Sequence, residues 1–192
     1  MIDVLLLGPQ GSGKGTQAKL ISDAYGIPHI ATGDILRAAM AAGTELGRQV
    51  KPIYDSGQLV PDDLMIGIIR ERLAEHDADQ GFILDGFPRT LAQAEALDDM
   101  LREIGKELTV VFVLHVPEAV SVERMLNRAE IEGRKDDTPE AIAQRLELYR
   151  RETEPLVEWF RVRSNVVMVH GERSIDEVFD EIEQALEQAA VA

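Results

Sequence analysis

The chain has 192 residues, of which 45% are hydrophobic and 29% charged, and its formal net charge is −15. This composition is typical of a globular domain, and the acidic excess argues against nucleic acid or a membrane surface as partner. The sequence contains no cysteine, no apolar stretch long enough to span a bilayer and no signal-peptide pattern, so we expect a cytoplasmic protein without disulfides or thiolate zinc sites.

The chain begins with an apolar run, 2–7, that predicts a buried strand and leads into the glycine-rich loop 8–17, Gly-Pro-Gln-Gly-Ser-Gly-Lys-Gly-Thr-Gln. Glycines let backbone N–H groups surround phosphate oxygens, and the helix that follows directs its positive dipole end at the same anion. Lys14 is placed to reach the terminal phosphates. In the strict P-loop pattern Ser or Thr follows the lysine, whereas here Gly15 intervenes before Thr16. We therefore predict that this segment is a phosphate-binding loop. A nucleotide is the leading candidate for its ligand.

Later in the chain, short apolar runs alternate with helical periodicity. The runs predict further strands at 27–31, 81–84, 109–116 and 165–169. The helical patterns lie at 18–25, 62–75, 91–104, 118–127 and 139–160, and the capping-box spacing of Ser174 and Glu177 starts a last helix. Pro155 is expected to kink or divide the helix in which it falls. Strands alternating with helices predict an α/β fold with a parallel sheet and helices on both faces.

Two regions break this alternation. Residues 32–60 contain two short helical patterns, around 34–42 and 44–55, where a single crossover helix would suffice. Residues 128–138 form a polar segment between helices. Each region is a candidate mobile flap over the phosphate site, and solvated surface excursions are the alternative interpretation.

Several charged side chains have the positions that phosphoryl transfer needs. Asp85 follows a buried run and is a candidate for holding Mg²⁺ or its waters, with an N-cap or a structural salt bridge as the alternative. Arginine grips two phosphate oxygens with its planar fork and stays charged. The candidate arginines are Arg37, Arg89, Arg124, Arg128, Arg134 and Arg145. The four histidines form no catalytic pattern, and His29 and His115 are expected to be packed, hydrogen-bonded strand residues. The missing general base favours a phosphate acceptor over an alcohol.

These segments together resemble the adenylate kinase family of nucleoside monophosphate kinases. The loop 8–17 has that family's form of the P-loop, in which glycine and then threonine follow the lysine. The other similar segments, in the expected order, are 31–37 (Ala-Thr-Gly-Asp-Ile-Leu-Arg), 57–61 (Gly-Gln-Leu-Val-Pro), 81–90 (Gly-Phe-Ile-Leu-Asp-Gly-Phe-Pro-Arg-Thr) and 133–137 (Gly-Arg-Lys-Asp-Asp). The resemblance extends over nearly the whole chain.

The resemblance implies a fold, a reaction and a cofactor. The fold would be a P-loop three-layer α/β domain over 1–192, with a central five-stranded parallel sheet flanked by helices. An AMP-binding flap would be inserted at 31–60 and a short lid without zinc at 127–137. The reaction would be MgATP + AMP ⇌ 2 ADP, serving adenine nucleotide homeostasis in a monomeric cytoplasmic enzyme. Its partners would be ATP, AMP and ADP, and its metal Mg²⁺, held through Thr16 and Asp85 by way of water.

The resemblance also implies roles for individual residues. ATP would be bound by Gly11, Ser12, Gly13, Lys14, Gly15, Thr16, Arg124, Arg128 and Arg173. AMP would be bound by Thr32, Gly33, Arg37, Gln58, Leu59, Val60, Gly86, Phe87, Pro88, Arg89, Gln93, Arg134 and Arg145. Catalysis would rest on Lys14, Asp85, Arg89, Arg124, Arg134 and Arg145.

Three alternatives to this interpretation concern the acceptor nucleotide, the donor nucleotide and the presence of catalysis. In the sister family of UMP/CMP kinases, the residues at the positions of Thr32 and Gln93 are typically replaced, so AMP is the preferred acceptor. GTP stays open as the donor, because a base held mainly by backbone leaves little trace in the sequence. A catalytically silent nucleotide-binding regulator is disfavoured by the intact Lys14, Asp85 and arginine set.

Overall fold

The structure is a computed structural model that describes residues 1–191, with side chains described as far as residue 189. The strands are β1 (Ile2–Leu7), β2 (His29–Ala31), β3 (Gly81–Asp85), β4 (Val110–His115) and β5 (Val166–His170). The helices are α1 (Lys14–Tyr25), α2 (Thr32–Ala41), α3 (Glu45–Asp55), α4 (Asp62–Leu73), α5 (Leu91–Glu103), α6 (Glu118–Glu132), α7 (Pro139–Leu148), α8 (Leu156–Arg161) and α9 (Ile175–Val191). A 3₁₀ turn covers His76–Ala78 and a π-helical segment covers Tyr149–Thr153.

The five strands form one parallel sheet in the order β2-β3-β1-β4-β5. Strand β1 is central, and its Leu5 pairs with Leu84 of β3 and Val111 of β4. The predicted five-stranded parallel α/β fold is therefore confirmed. Because all strands point the same way, the loops that follow β1, β2, β3, β4 and β5 meet at one edge of the sheet, where open α/β proteins bind ligands.

Alternate residues of the central strand face two separate apolar cores. Leu5 and Leu7 lie in a core on one face, with side chains of α2, α3, α4, α5 and α8. Val4 and Leu6 lie in a core on the other face, with side chains of α1 and α9. This alternation creates the three layers, and both faces of the sheet are covered, as the continuous apolar runs predicted.

Helix α6 is longer than predicted. It runs to Glu132 rather than 127 and ends at Gly133, which adopts a left-handed conformation with φ 63°. The first half of the segment 128–138, expected to be a polar stretch between helices, is therefore helical. Its residues are good helix formers without an apolar stripe, so hydrophobic periodicity could not reveal them.

The predicted helix over 139–160 is divided, as Pro155 indicated. Helix α7 ends at Leu148, and in the π segment the N–H of Glu154 donates to the carbonyl of Tyr149 at 2.8 Å. Proline lacks an N–H and its ring crowds the preceding turn, which favours such a wide turn just before it. Within residues 1–191, no helix combines the length and the apolar character needed to cross a bilayer.

Candidate active site

A cavity of about 1030 Å³ lies at the carboxyl edge of the sheet. Its lining comes from the loop after β1, the ends of β2 and β3, and side chains of α1, α2, α3, α6 and α7. The volume stands at the upper end of the range for small-molecule sites. The cavity is thus large enough for more than one small ligand.

The loop after β1 needs glycine because it approaches its neighbours closely. A Cβ at Gly8 would lie 2.5 Å from the carbonyl oxygen of Leu114, and one at Gly11 would lie 2.5 Å from that of Ser121. Gly13 is the N-cap of α1 in a left-handed conformation, and no side chain within residues 1–189 caps this end. The first-turn N–H groups of α1 are therefore directed toward the loop as donors for an anion.

Lys14 is the first residue of α1, and its ammonium group is enclosed by the loop. Its Nζ donates to the carbonyl oxygens of Gly8 and Pro9, at 2.7 and 2.8 Å. Burial lowers the pKa of Lys14 to about 8; Asp85 opposes this shift and Arg89 adds to it. A phosphate brought to this lysine would stabilise its charged form.

Asp85 ends β3 and faces the first turn of α1, since a Cβ at Gly15 would lie 3.8 Å from Asp85 Oδ2. The same carboxylate oxygen lies 3.3 Å from His29 Nε2. Burial acts to raise the pKa of Asp85, but the hydrogen bond from His29 and the charges of Lys14 and His29 hold it below the usual value of 3.8. Asp85 is therefore an anion at neutral pH.

The donor set around Asp85 suits magnesium better than zinc. No cluster of three or more His, Cys, Asp or Glu side chains occurs in the described part of the chain. Asp85 and Thr16 line the same cavity. A carboxylate and a hydroxyl are the kind of sparse protein set with which Mg²⁺ binds, because this ion keeps waters and takes substrate phosphates as further ligands.

Arg37 and Arg89 enter the cavity from α2 and from the loop after β3. Arg37 Nη1 donates to the hydroxyl of Tyr54 at 2.5 Å, and its other nitrogen pairs with Asp34. Arg89 Nε donates to the carbonyl of Gly86 at 2.8 Å. Burial lowers the pKa of Arg89, with Tyr54 and Asp85 opposing the shift. Both guanidinium groups are oriented by neighbours before any ligand binds.

The arginines on the opposite side are held by carboxylates of the segment between α6 and α7. Asp137 accepts from Arg128 at 2.7 Å and from Arg145 at 2.6 Å, and its side chain is 0% exposed. Arg145 also pairs with Asp136 at 3.0 Å. Arg134 pairs with Glu132. The cations on this side of the cavity are therefore already neutralised by neighbouring carboxylates.

Most of the predicted site residues are brought together by the fold. Those that line the cavity are Gly11, Gly13, Lys14, Gly15, Thr16, Gly33, Arg37, Gln58, Asp85, Gly86, Pro88, Arg89, Arg124, Arg128, Arg134 and Arg145. Those that do not line it are Ser12, Thr32, Leu59, Val60, Phe87, Gln93 and Arg173. Thr32 and Gln93 are buried beside Gly86 and Arg89, whereas Arg173 pairs with Glu181 on α9.

Two residues of the cavity have contacts that sequence reasoning did not predict. His29 lies in β2 and forms a hydrogen bond, as expected, but its partner Asp85 and its place in the cavity lining were not foreseen. Tyr54 was not singled out, yet it contacts Arg37 through its hydroxyl and Arg145 through its carbonyl, the latter at 3.2 Å. Both partnerships join residues distant in sequence, so no local pattern could have revealed them.

The glycine loop around a buried lysine, facing arginines from two other directions, is an arrangement for moving a phosphoryl group between two anions. Fold and site thus define a P-loop phosphotransferase. The family model described as "Adenylate kinase" matches residues 6–165. The chain therefore belongs to the adenylate kinase family, whose members are nucleoside monophosphate kinases.

Curated relatives agree over almost the full length. An "Adenylate kinase" of Cyanothece sp. (strain PCC 7425 / ATCC 29141) is 48% identical over 188 residues, with 98% of this chain and 96% of the relative covered. That of Clostridium botulinum (strain Loch Maree / Type A3) is 47% identical over 210 residues, with 95% and 97% covered. That of Archaeoglobus fulgidus is 44% identical over 214 residues, with 97% and 99% covered. The last two alignments exceed the 192 residues of this chain, so those relatives carry additional segments.

Proposed function

We propose that the cavity holds ATP and AMP together and that this chain acts as an adenylate kinase, MgATP + AMP ⇌ 2 ADP. The observation that carries the proposal is the convergence of Lys14, Arg89 and Arg145 from three different elements on one cavity. A site for one nucleotide needs cations on one side only. Cations around a common centre suit two phosphate chains that meet end to end.

On the donor side, we assign the ATP phosphates to the loop Gly11–Thr16 and the first turn of α1. Lys14 would contact the phosphoryl group that is transferred. Arg124 and Arg128 would contact the ATP phosphates from α6. The support is geometric: Arg124 Nη1 already reaches the carbonyl of Gly171 at 2.8 Å, beside the loop. Arg173 faces Glu181 instead, so its assignment to ATP has no support from its position.

On the acceptor side, Arg37 and Arg89 would grip the AMP phosphate, and the base would lie near Gln58 and Gln93. The attacking atom is an oxygen of a phosphate monoester, which is already anionic near neutral pH because its second pKa is about 6. It needs orientation rather than deprotonation. This agrees with a carboxylate at the end of β3, Asp85, whose side chain is engaged with His29.

As the phosphoryl group moves, negative charge shifts over its equatorial oxygens and onto the leaving oxygen. Lys14, Arg134 and Arg145 are the groups we assign to that charge, and their fixed positive charge stabilises it more as it develops. Asp85 and Thr16 would hold Mg²⁺ through water, and the metal would supply further positive charge beside the phosphates.

We further propose that 31–60 and 127–137 act as the AMP-binding flap and the lid. Arg128 and Arg145 are paired with Asp137, so they must exchange this carboxylate for phosphate oxygens during the reaction. Closure over both nucleotides would bring the exchange about and exclude water. The cytoplasmic location, the monomeric state and the absence of zinc stay predictions.

The proposal is tested by a coupled assay in which ATP is offered with AMP, CMP, UMP or GMP in turn, with and without Mg²⁺. We expect AMP to be used best and turnover to stop without Mg²⁺. Preference for CMP or UMP would assign the chain to a pyrimidine kinase activity. Nucleotide binding without turnover of any pair would indicate a silent regulator, and replacing ATP by GTP tests donor choice.

A further inference from the structure

Gln93 is held by two partners of opposite hydrogen-bonding character. Its Oε1 accepts from the backbone N–H of Arg89 at 2.8 Å, and its Nε2 donates to Asp62 Oδ1 at 2.8 Å. Gln93 is only 2% exposed. Water is therefore largely excluded from this pair of hydrogen bonds.

The two partners determine which way the amide points. A backbone N–H can only donate and a carboxylate can only accept, so exchanging the oxygen and nitrogen of Gln93 would make both contacts unfavourable. Asp62 is itself oriented, because Thr90 Oγ1 donates to the same oxygen at 2.9 Å. Thr90 also caps α5 by accepting from the N–H of Gln93. The orientation of the Gln93 amide is thus fixed by residues at the start of α4 and of α5.

A fixed amide can distinguish two purine edges that an amide free to rotate would accept equally. With these two contacts made, Gln93 retains one N–H donor and one oxygen lone pair in fixed places. Adenine offers an acceptor at N1 and a donor at N6. A 6-oxopurine such as hypoxanthine offers the reverse, a donor at N1 and an acceptor at O6. An amide held in one orientation can therefore form both hydrogen bonds with only one of these two base edges.

We propose that Asp62 is the positioning residue that makes the monophosphate site select 6-aminopurine over 6-oxopurine nucleotides, by fixing the orientation of the Gln93 amide. The inference rests on the proposed function, in which Gln93 lies near the base of AMP. Asp62 does not contact the base in this account. It acts through Gln93, and its carboxylate, together with the N–H of Arg89, makes the reversed amide unfavourable.

The experiment compares AMP with IMP, since their bases differ only at the 6 position and the protonation of N1. The ratio of kcat/KM for the two acceptors is measured with saturating MgATP for the wild type, Asp62→Asn and Asp62→Ala. Asparagine has the same shape but can pair with either orientation of Gln93. We expect the AMP-to-IMP ratio to fall by about tenfold or more, the size of effect expected from one charge-assisted hydrogen bond. The KM for ATP should stay within twofold of the wild type.

Asp63→Asn is the matched control. Asp63 is the next residue of α4 and is exposed, and its side chain forms none of the hydrogen bonds or ion pairs found within residues 1–189. A purely structural role for Asp62 would lower kcat/KM for AMP and IMP alike and leave the ratio unchanged. A ratio within threefold of the wild type in both Asp62 variants, or an equal fall in Asp63→Asn, overturns the inference.

Thermal unfolding of each variant identifies any that fails to fold, and Asp62→Asn is the one least expected to. The same assay separates this inference from the proposed function. A wild-type enzyme that does not phosphorylate AMP contradicts the proposed function. A wild-type enzyme that uses AMP and IMP equally well contradicts the role of Asp62 alone.

Discussion

The two sides of the cavity hold their cations in different ways. On the core side, Lys14 is bound by the uncharged carbonyl oxygens of Gly8 and Pro9. On the side of the proposed lid (the lid side), Arg128 and Arg145 share the buried carboxylate of Asp137. A carbonyl leaves the charge of its partner uncompensated, whereas a carboxylate neutralises it. The core side is therefore prepared for an anion, and the lid side must give up one anion before it can take another.

Removing the core-side charge should have the largest effect. Lys14→Met keeps a side chain of similar length but removes the ammonium group, and we expect kcat to fall by about 10²–10³-fold. Steady-state kinetics measures the loss, while circular dichroism and thermal unfolding show that the fold is kept. Lys51→Met, at an exposed lysine paired with Asp55 on α3, is the matched control and should be close to the wild type. A folded Lys14→Met enzyme that kept a tenth of the activity would contradict the role of this lysine.

Breaking the lid-side ion pairs should have the next largest effect. Asp137→Asn removes the charge that holds Arg128 and Arg145 in place, and misplaced catalytic groups cost up to about 10²-fold in kcat. It also leaves two guanidinium groups without their shared carboxylate, so the free energy of unfolding should fall by about 3 kcal/mol. Kinetics and urea unfolding measure the two effects.

The control for this variant is Glu132→Gln. It removes the partner of Arg134, but that carboxylate is 48% exposed and its ion pair is of the kind that contributes little. We expect kcat and stability close to the wild type. If Asp137→Asn were as active and stable as Glu132→Gln, the buried carboxylate of Asp137 would contribute to neither activity nor stability.

The two sides also differed in how far the sequence could predict them. The loop around Lys14 is a continuous segment after a buried strand, so its residues and their role follow from local pattern. The lid-side pairs depend on how α6 and α7 approach each other. The sequence indicated Arg128 and Arg145 as candidates but gave no sign that Asp137 joins them. The same holds for Gln93. The resemblance indicated it as an AMP-binding residue, but nothing in the sequence indicated its partner Asp62.

The pH dependence of activity should come from the core side alone. Burial lowers the pKa of Lys14 from 10.5 to about 8, so the lysine of the free enzyme is charged below pH 8 and loses its charge as the pH rises above it. The kcat/KM for ATP should therefore fall by about tenfold for each pH unit above 8. Arginine stays charged throughout this range, so the lid side contributes no such change.

Rate measurements between pH 6 and 10 test this expectation, with Lys14→Arg as the comparison. Because the arginine keeps its charge, the decline above pH 8 should disappear, whatever the absolute rate of the variant. A wild-type profile that stayed level to pH 9.5 would show that Lys14 keeps its proton in the free enzyme.

The smallest effect is expected at Tyr54, where α3 of the proposed flap contacts the lid side. Tyr54 donates nothing to the lid side but offers its carbonyl and its ring to Arg145, whose guanidinium carbon lies 5.3 Å from the ring centroid. Its hydroxyl accepts from Arg37 on the flap side. Tyr54→Phe removes only the hydroxyl contact, so it should raise the KM for AMP by about fivefold, the equivalent of roughly 1 kcal/mol.

The same substitution should leave kcat and the KM for ATP within twofold of the wild type, because the ring and carbonyl that meet Arg145 are retained. Tyr54→Leu removes the ring as well, and it should lower kcat in addition to raising the KM for AMP. Tyr25→Phe, at the far end of α1, serves as the control. If Tyr54→Phe lowered kcat as much as Tyr54→Leu, the hydroxyl would serve both sides at once, and the division between a flap-side and a lid-side function of this residue would be wrong.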